Sequence, residues 1–179
     1  VGRGMAPRGR LHGLGTRVDK SQGQVFREFE GNIDPRSGQG SGDVKYHRGA
    51  EGTFTAADGS TTRVSLTSNP SHLEAIDPVL EGIVRAKQDV IDKGEAGFTV
   101  LPVLLHGDAA FAGQGVVAET LQMGQLRGYR TGGTVHIVIT NKVGFTTEPE
   151  FSGSWAYGNA VGRTGQAPIL NGKGRAPDA

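Results

Sequence analysis

The chain has 179 residues, room for about one domain at the usual ~100–200 residues each. It has no Cys, which excludes disulfides, thiolate metal centres and Cys nucleophiles, and its formal net charge of +1 gives no global pull toward nucleic acid or an anionic membrane. Thirty glycines, about 17 % against a usual ~7 %, and 35 % hydrophobic residues allow a core, but a thin one.

The first segment, 1–20, is locally basic, with Arg3, Arg8, Arg10, Arg17 and Lys20 facing only Asp19. Its Arg/Gly-rich start has no apolar stretch of the kind a secretory signal needs. Val25, Phe26 and Phe29 have the spacing of a short amphipathic helix over 21–30, with Ser21 as its cap. Residues 31–63 are rich in Gly, Ser, Asp and Thr and read as loops with short extended pieces. Val64 and Leu66 alternate in a short strand over 63–67. Ser71 and Glu74 form a capping-box pattern ahead of a helix that runs to about Asp92, with a stripe of Ile76, Val79, Leu80, Ile83 and Val84. Pro78 inside that pattern predicts a restart or kink, and Lys93-Gly94 an end.

The run from Phe98 to Leu105 reads as a strand buried on both faces, and is far too short to span a bilayer. A helix is predicted over 113–126 and a second apolar strand over 134–139. Strand, helix, strand is a βαβ unit, so the fold class is α/β with a parallel core, a loop-rich N-terminal half and an irregular tail. From Phe151 onward glycines recur every few residues, which predicts weak structure. Residues 1–150 are therefore taken as one unit and 151–179 as a divergent tail.

The βαβ unit puts Asp108 at the end of its first strand and Asn141 at the end of its second. Ligands of open α/β sheets bind outside those carboxyl ends. A carboxylate, an amide oxygen and nearby carbonyls suit Mg²⁺, which keeps phosphate and water among its ligands. Backbone N–H groups at the start of the following helix can meet phosphate. The same residues also read as a helix-start aspartate and a turn asparagine. His47, beside Lys45 and Arg48, reads equally as an exposed loop histidine.

Several long motifs, in order, resemble the 2-oxoglutarate dehydrogenase first-component family. They are HGDAAFAGQGVVAETL at 106–121 and GYRTGGTVHIVITNKVGFTT at 128–147, which resemble its thiamine-diphosphate motif. Shorter stretches agree: GMAPRGRL at 4–11, FEGN at 29–32, SGDVKYH at 41–47 and NPSHLE at 69–74. The resemblance implies two cofactors, thiamine diphosphate and Mg²⁺. It implies Mg²⁺ on Asp108, Asn141 and the Val143 carbonyl, diphosphate beside Ala109 and Ala110, and Arg8, Ser71 and Leu73 around cofactor and substrate. It gives His47 a catalytic place facing the keto acid, with Arg8 and Ser71 also on the substrate. His72 and His106 become packing or hydrogen-bonding residues, and His12 and His136 receive no role.

The implied reaction decarboxylates 2-oxoglutarate, in the tricarboxylic acid cycle, and passes the succinyl group to a lipoyl-bearing succinyltransferase component. The resemblance also implies a homodimer in the full-length protein, a cytoplasmic place if that protein is bacterial, and no membrane or nucleic-acid partner. Family members are several times longer and carry an activating glutamate on a second domain, so the chain alone is expected to be inactive. Departures are Pro7, where the family has an active-site histidine, Thr140 for the first Asn of an Asn-Asn pair, and Lys142 for a Gln. They keep two alternatives in play: a non-catalytic remnant, or a piece of a multifunctional 2-oxoglutarate decarboxylase. A third, an RNA-binding Arg-Gly segment at 2–10, lacks the stacking aromatics such segments carry.

Overall fold

The computed structural model describes residues 1–7, 9–18, 20–30, 47–92, 97–142, 144, 147–151, 153–154, 158–165 and 167–172. Its elements in chain order are β1 (Gly2–Met5), α1 (Arg10–Arg17), α2 (Gln22–Phe29), β2 (Ala50–Thr55), β3 (Thr61–Leu66), α3 (Ile76–Ile91), β4 (Pro102–Gly107), α4 (Asp108–Gly113), α5 (Gly115–Met123) and β5 (Val135–Ile139). Two 3₁₀ turns, Pro149–Phe151 and Gly158–Gly165, follow.

The five strands form one sheet in the order β2-β3-β1-β4-β5. β1 runs parallel to both β3 and β4, β4 runs parallel to β5, and only β2 is antiparallel to its neighbour. The predicted βαβ unit is thus present as β4, α4–α5 and β5, inside a larger mixed sheet. The expected α/β class with a parallel core is borne out, and three further strands extend it. The centre of the sheet is β1, where the sequence Gly-Arg-Gly-Met carries no strand signal.

Packing explains that placement. An added Cβ on Gly4 would stand 2.7 Å from Leu104 Cδ2 and 3.0 Å from Ile76 Cγ1, so only glycine lets α3 lie this close to the sheet. The resulting core joins Ile76, Leu80, Val84, Val100 and Leu104. A second cluster, Leu14, Val18 and Leu66 with Met5, Leu11 and Ala50 against it, involves α1, β1, β2 and β3.

Several local expectations shift. α2 begins as expected behind Ser21, whose side chain accepts from the Gln24 N–H while Gln24 answers at the Ser21 N–H. α3, in contrast, starts at Ile76 behind Ala75 with no side-chain cap, and Ser71 lies in the preceding turns. Pro78 then falls in the first helical turn, where its missing N–H has no intrahelical partner to lose, so no kink arises. The apolar stripe of α3 is narrower than predicted: Ile76, Leu80 and Val84 are buried, while Val79 is exposed. The strand foreseen over 98–105 begins at Pro102, and Phe98 takes a left-handed φ of 48°. The helix foreseen over 113–126 is α5, shorter at both ends, and a helix not foreseen, α4, precedes it across Gln114, whose backbone is extended. Residues 31–46, the first part of the loop region predicted over 31–63, and the helix stop at 93–94 lie outside the described residues.

Candidate functional site

A cavity of about 890 Å³ opens at the carboxyl ends of β1, β4 and β5. It is walled by the β1–α1 turn, the turns before α3, the start of α4 and the loop after β5. That volume lies within the ~300–1,000 Å³ usual for ligand sites. Its walls bring together six of the residues singled out in the sequence: His47, Ser71, Leu73, Ala109, Ala110 and Asn141. His47 is buried, so the exposed-loop reading of it is corrected. Pro7 lines the same wall, which places the departure from the family's histidine at the cavity surface. Arg8 and Val143 lie outside the described residues.

Asp108 is buried at the first position of α4. Its Oδ2 accepts the Lys142 backbone N–H at 3.0 Å, which ties the loop after β5 to the start of α4. Lys142 holds a left-handed φ of 55°, a conformation that a lysine adopts only when its surroundings impose it. The other oxygen, Oδ1, is buried and has no hydrogen-bond partner among the described residues. A buried carboxylate oxygen left without a donor is costly, and a cation would satisfy it. Asn141 lines the same cavity, and its amide oxygen with the Asp108 carboxylate offers the kind of oxygen donors that Mg²⁺ takes. The residues present fit the ion.

The α4 start is also packed from the chain's far end. An added Cβ on Gly158 would meet the Asp108 carbonyl oxygen at 3.0 Å, so the 158–165 turn lies tight against it. Sequence reasoning missed other parts of the site. Met5, Leu11, Leu105 and Gln114 line the cavity, and Gln114 is reached only because the helix breaks there. Arg10 is fully buried, and its guanidinium donates to the Thr67 carbonyl at 2.7 and 2.8 Å and to the Met5 carbonyl at 3.2 Å. Burial lowers its pKa to about 10. It pins the ends of β1 and β3 beside the cavity and takes no part in an exposed basic surface.

His136, given no role from the sequence, bonds His106, which in turn bonds Glu74. Burial raises the Glu74 carboxyl to about 7. Burial, with the nearby Glu74 charge second, raises Asp77 to about 8. Burial lowers His136 to about 4, with His106 adding to the effect. The signal for this cluster was the i, i+3 pair of acids, Glu74 and Asp77, which the capping-box reading absorbed.

The dehydrogenase E1 component family model matches residues 8–178. The chain belongs to that family. E1 components are thiamine-diphosphate-dependent enzymes of the 2-oxoacid dehydrogenase type. The match continues past residue 150, where the motif resemblance fades. Among curated relatives, the multifunctional 2-oxoglutarate metabolism enzyme of Mycolicibacterium vanbaalenii is 58 % identical over 179 residues, covering 98 % of this chain. Those of Mycobacterium sp. strains JLS and KMS are 56 % identical over the same share. The E1 chain described here spans only 14 % of the length of these relatives. Among the described residues, no helix is long and apolar enough to cross a membrane.

Proposed function

We propose that this chain forms the thiamine-diphosphate and Mg²⁺ site of an enzyme that decarboxylates 2-oxoglutarate. The observation that carries the reading is the convergence of His47, Ser71, Leu73, Ala109, Ala110 and Asn141 on one cavity, beside a buried Asp108 oxygen that lacks a donor. Asp108, Asn141 and the Val143 carbonyl would hold the metal. Ala109 and Ala110 would leave room for the diphosphate against the backbone. Leu73 would pack on the cofactor, and Arg8, His47 and Ser71 would bind and orient the keto acid. Bound thiamine diphosphate supplies the electron sink that decarboxylation of a 2-keto acid requires. Met5, Leu11 and Leu105 give the cavity an apolar wall that excludes water around the reacting carbons.

In the whole protein, the succinyl group would pass to a lipoyl-bearing succinyltransferase component, the active form would be a homodimer, and the site would lie in the bacterial cytoplasm. A second reading, a piece of a multifunctional 2-oxoglutarate decarboxylase, draws on the names of the mycobacterial relatives. Product analysis separates the two: succinyl transfer to a lipoyl acceptor supports the first, and free succinic semialdehyde the second. A third reading, a non-catalytic remnant, draws on Pro7 at the cavity wall.

The deciding experiment is calorimetric titration of the folded chain with thiamine diphosphate in MgCl₂ and in EDTA. Binding is expected only with Mg²⁺, and Asp108→Asn is expected to abolish it. A folded chain that binds nothing under either condition would support the remnant and sink the cofactor reading.

A further inference from the structure

Glu74, Asp77 and His106 are buried together, and one hydrogen-bonded chain runs out from them. His106 Nδ1 lies 2.7 Å from Glu74 Oε2, and His106 Nε2 lies 3.0 Å from His136 Nδ1. A neutral imidazole carries a single N–H, so bonds at both nitrogens give the chain one direction. With Glu74 as acceptor, His106 donates from Nδ1 and accepts at Nε2 from the Nδ1–H of His136. Asp77 Oδ1 stands 4.0 Å from the same His106 nitrogen, too far to compete for its proton.

The members sit on segments that form different walls of the cavity, although only His106 itself lines it. Glu74 belongs to the turns that carry Ser71 and Leu73. His106 comes immediately before Gly107 and Asp108, at the β4–α4 junction. His136 is on β5, which delivers Ile139 and then Asn141. Phe111 of α4 packs on both rings, with centroids 4.7 Å from His106 and 6.2 Å from His136. Three segments that converge on the cavity are therefore joined by one chain that starts at a buried carboxyl group.

We propose that Glu74 is a positioning residue: by orienting His106, and through it His136, it holds the three cavity segments in the arrangement that receives thiamine diphosphate and Mg²⁺. The inference rests on the reading of the cavity as that cofactor's site. It is distinct from a role in stability. Removing one member of a buried network usually costs stability by itself, so the distinction is read from the His106 tautomer in the unmutated chain and from Glu74→Gln, which keeps the acceptor.

Long-range ¹H–¹⁵N spectra of the histidine rings at pH 8 read the tautomers in the cofactor-free chain. Wild type and Glu74→Gln, whose carbonyl still accepts, are expected to carry the proton on Nδ1 of both His106 and His136. In Glu74→Leu the His106 proton is expected to move to Nε2. Titration with thiamine diphosphate in MgCl₂ is expected to weaken about tenfold or more in Glu74→Leu and less than about threefold in Glu74→Gln, the range seen when supporting hydrogen bonds around a bound ion are removed. The melting temperature is expected not to track that loss. A wild-type His106 protonated on Nε2 overturns the proposal, and this test stands even if Glu74→Leu does not fold. So does a Glu74→Leu chain that binds as wild type does. A wild-type chain with the expected tautomers that binds no thiamine diphosphate refutes instead the cofactor reading beneath it.

Discussion

Gly4 shows how much a single missing methyl group decides. Its hydrogen faces Leu104 and Ile76 in the middle of the sheet, and an added Cβ would stand 2.7 Å from Leu104 Cδ2. Leu104 and Ile76 are fully buried neighbours in the main core, so neither can retreat into solvent. Gly4→Ala is therefore expected to destabilise the fold by about 1–3 kcal/mol, the usual cost of overpacking. Gly13 in α1 offers the opposite case. Its added Cβ would make an ordinary 3.6 Å contact with Met5 Sδ, and alanine in a helix is favoured over glycine by about 1 kcal/mol. Gly13→Ala is expected to stabilise. Urea melts of the two variants beside wild type check both signs, and equal midpoints for all three would show that α3 can give way over Gly4.

At the scale of elements, β5 is the exposed end of the parallel part of the sheet, and Val135, Ile137 and Ile139 project apolar surface from it into solvent. An unpaired, flat, apolar edge is a template for pairing with another chain. Ile137→Lys is expected to reduce concentration-dependent light scattering without lowering the melting temperature, because Ile137 is half exposed and contributes little to the core. Unchanged scattering would locate association elsewhere. The same strand was legible in the sequence because Val-His-Ile-Val-Ile carries its own β signal, as did β4, β3 and the stripe of α3. β1 was not legible, since Gly-Arg-Gly-Met has no β-branched residue and owes its place to the space that Gly4 leaves for α3. The candidate site was legible at the strand ends, where the motif resemblance named Asp108 and Asn141. Glu74 was misread because Ser71-x-x-Glu74 is a local capping pattern, whereas its partner, His106, is 32 residues away in sequence and contiguous only in the fold.

For the whole molecule, the buried acids and histidines set how stability depends on pH. Burial lifts Glu74 from 4.5 to about 7 and Asp77 from 3.8 to about 8. Between about pH 4 and 8 the native pair thus holds more protons than the unfolded chain, so rising pH removes stability. His136, pushed down from 6.5 to about 4, works the other way. Between about pH 4 and 6.5 the unfolded chain binds the extra proton, so rising pH adds stability, and His106, also lowered by burial, acts in the same direction. The two slopes oppose each other below pH 6.5. Above it the histidines are neutral in both states and only the carboxyl pair still titrates. The melting temperature is therefore expected to fall less steeply from pH 5 to 6.5 than from pH 6.5 to 8. Asp77→Asn, which removes the higher-titrating group and the repulsion it shares with Glu74, is expected to flatten that fall. Thermal melts of both chains at half-unit steps test the prediction. A wild-type melting temperature that climbs between pH 6.5 and 8, or an Asp77→Asn profile that falls as steeply as wild type, would remove the carboxyl pair from the account of stability.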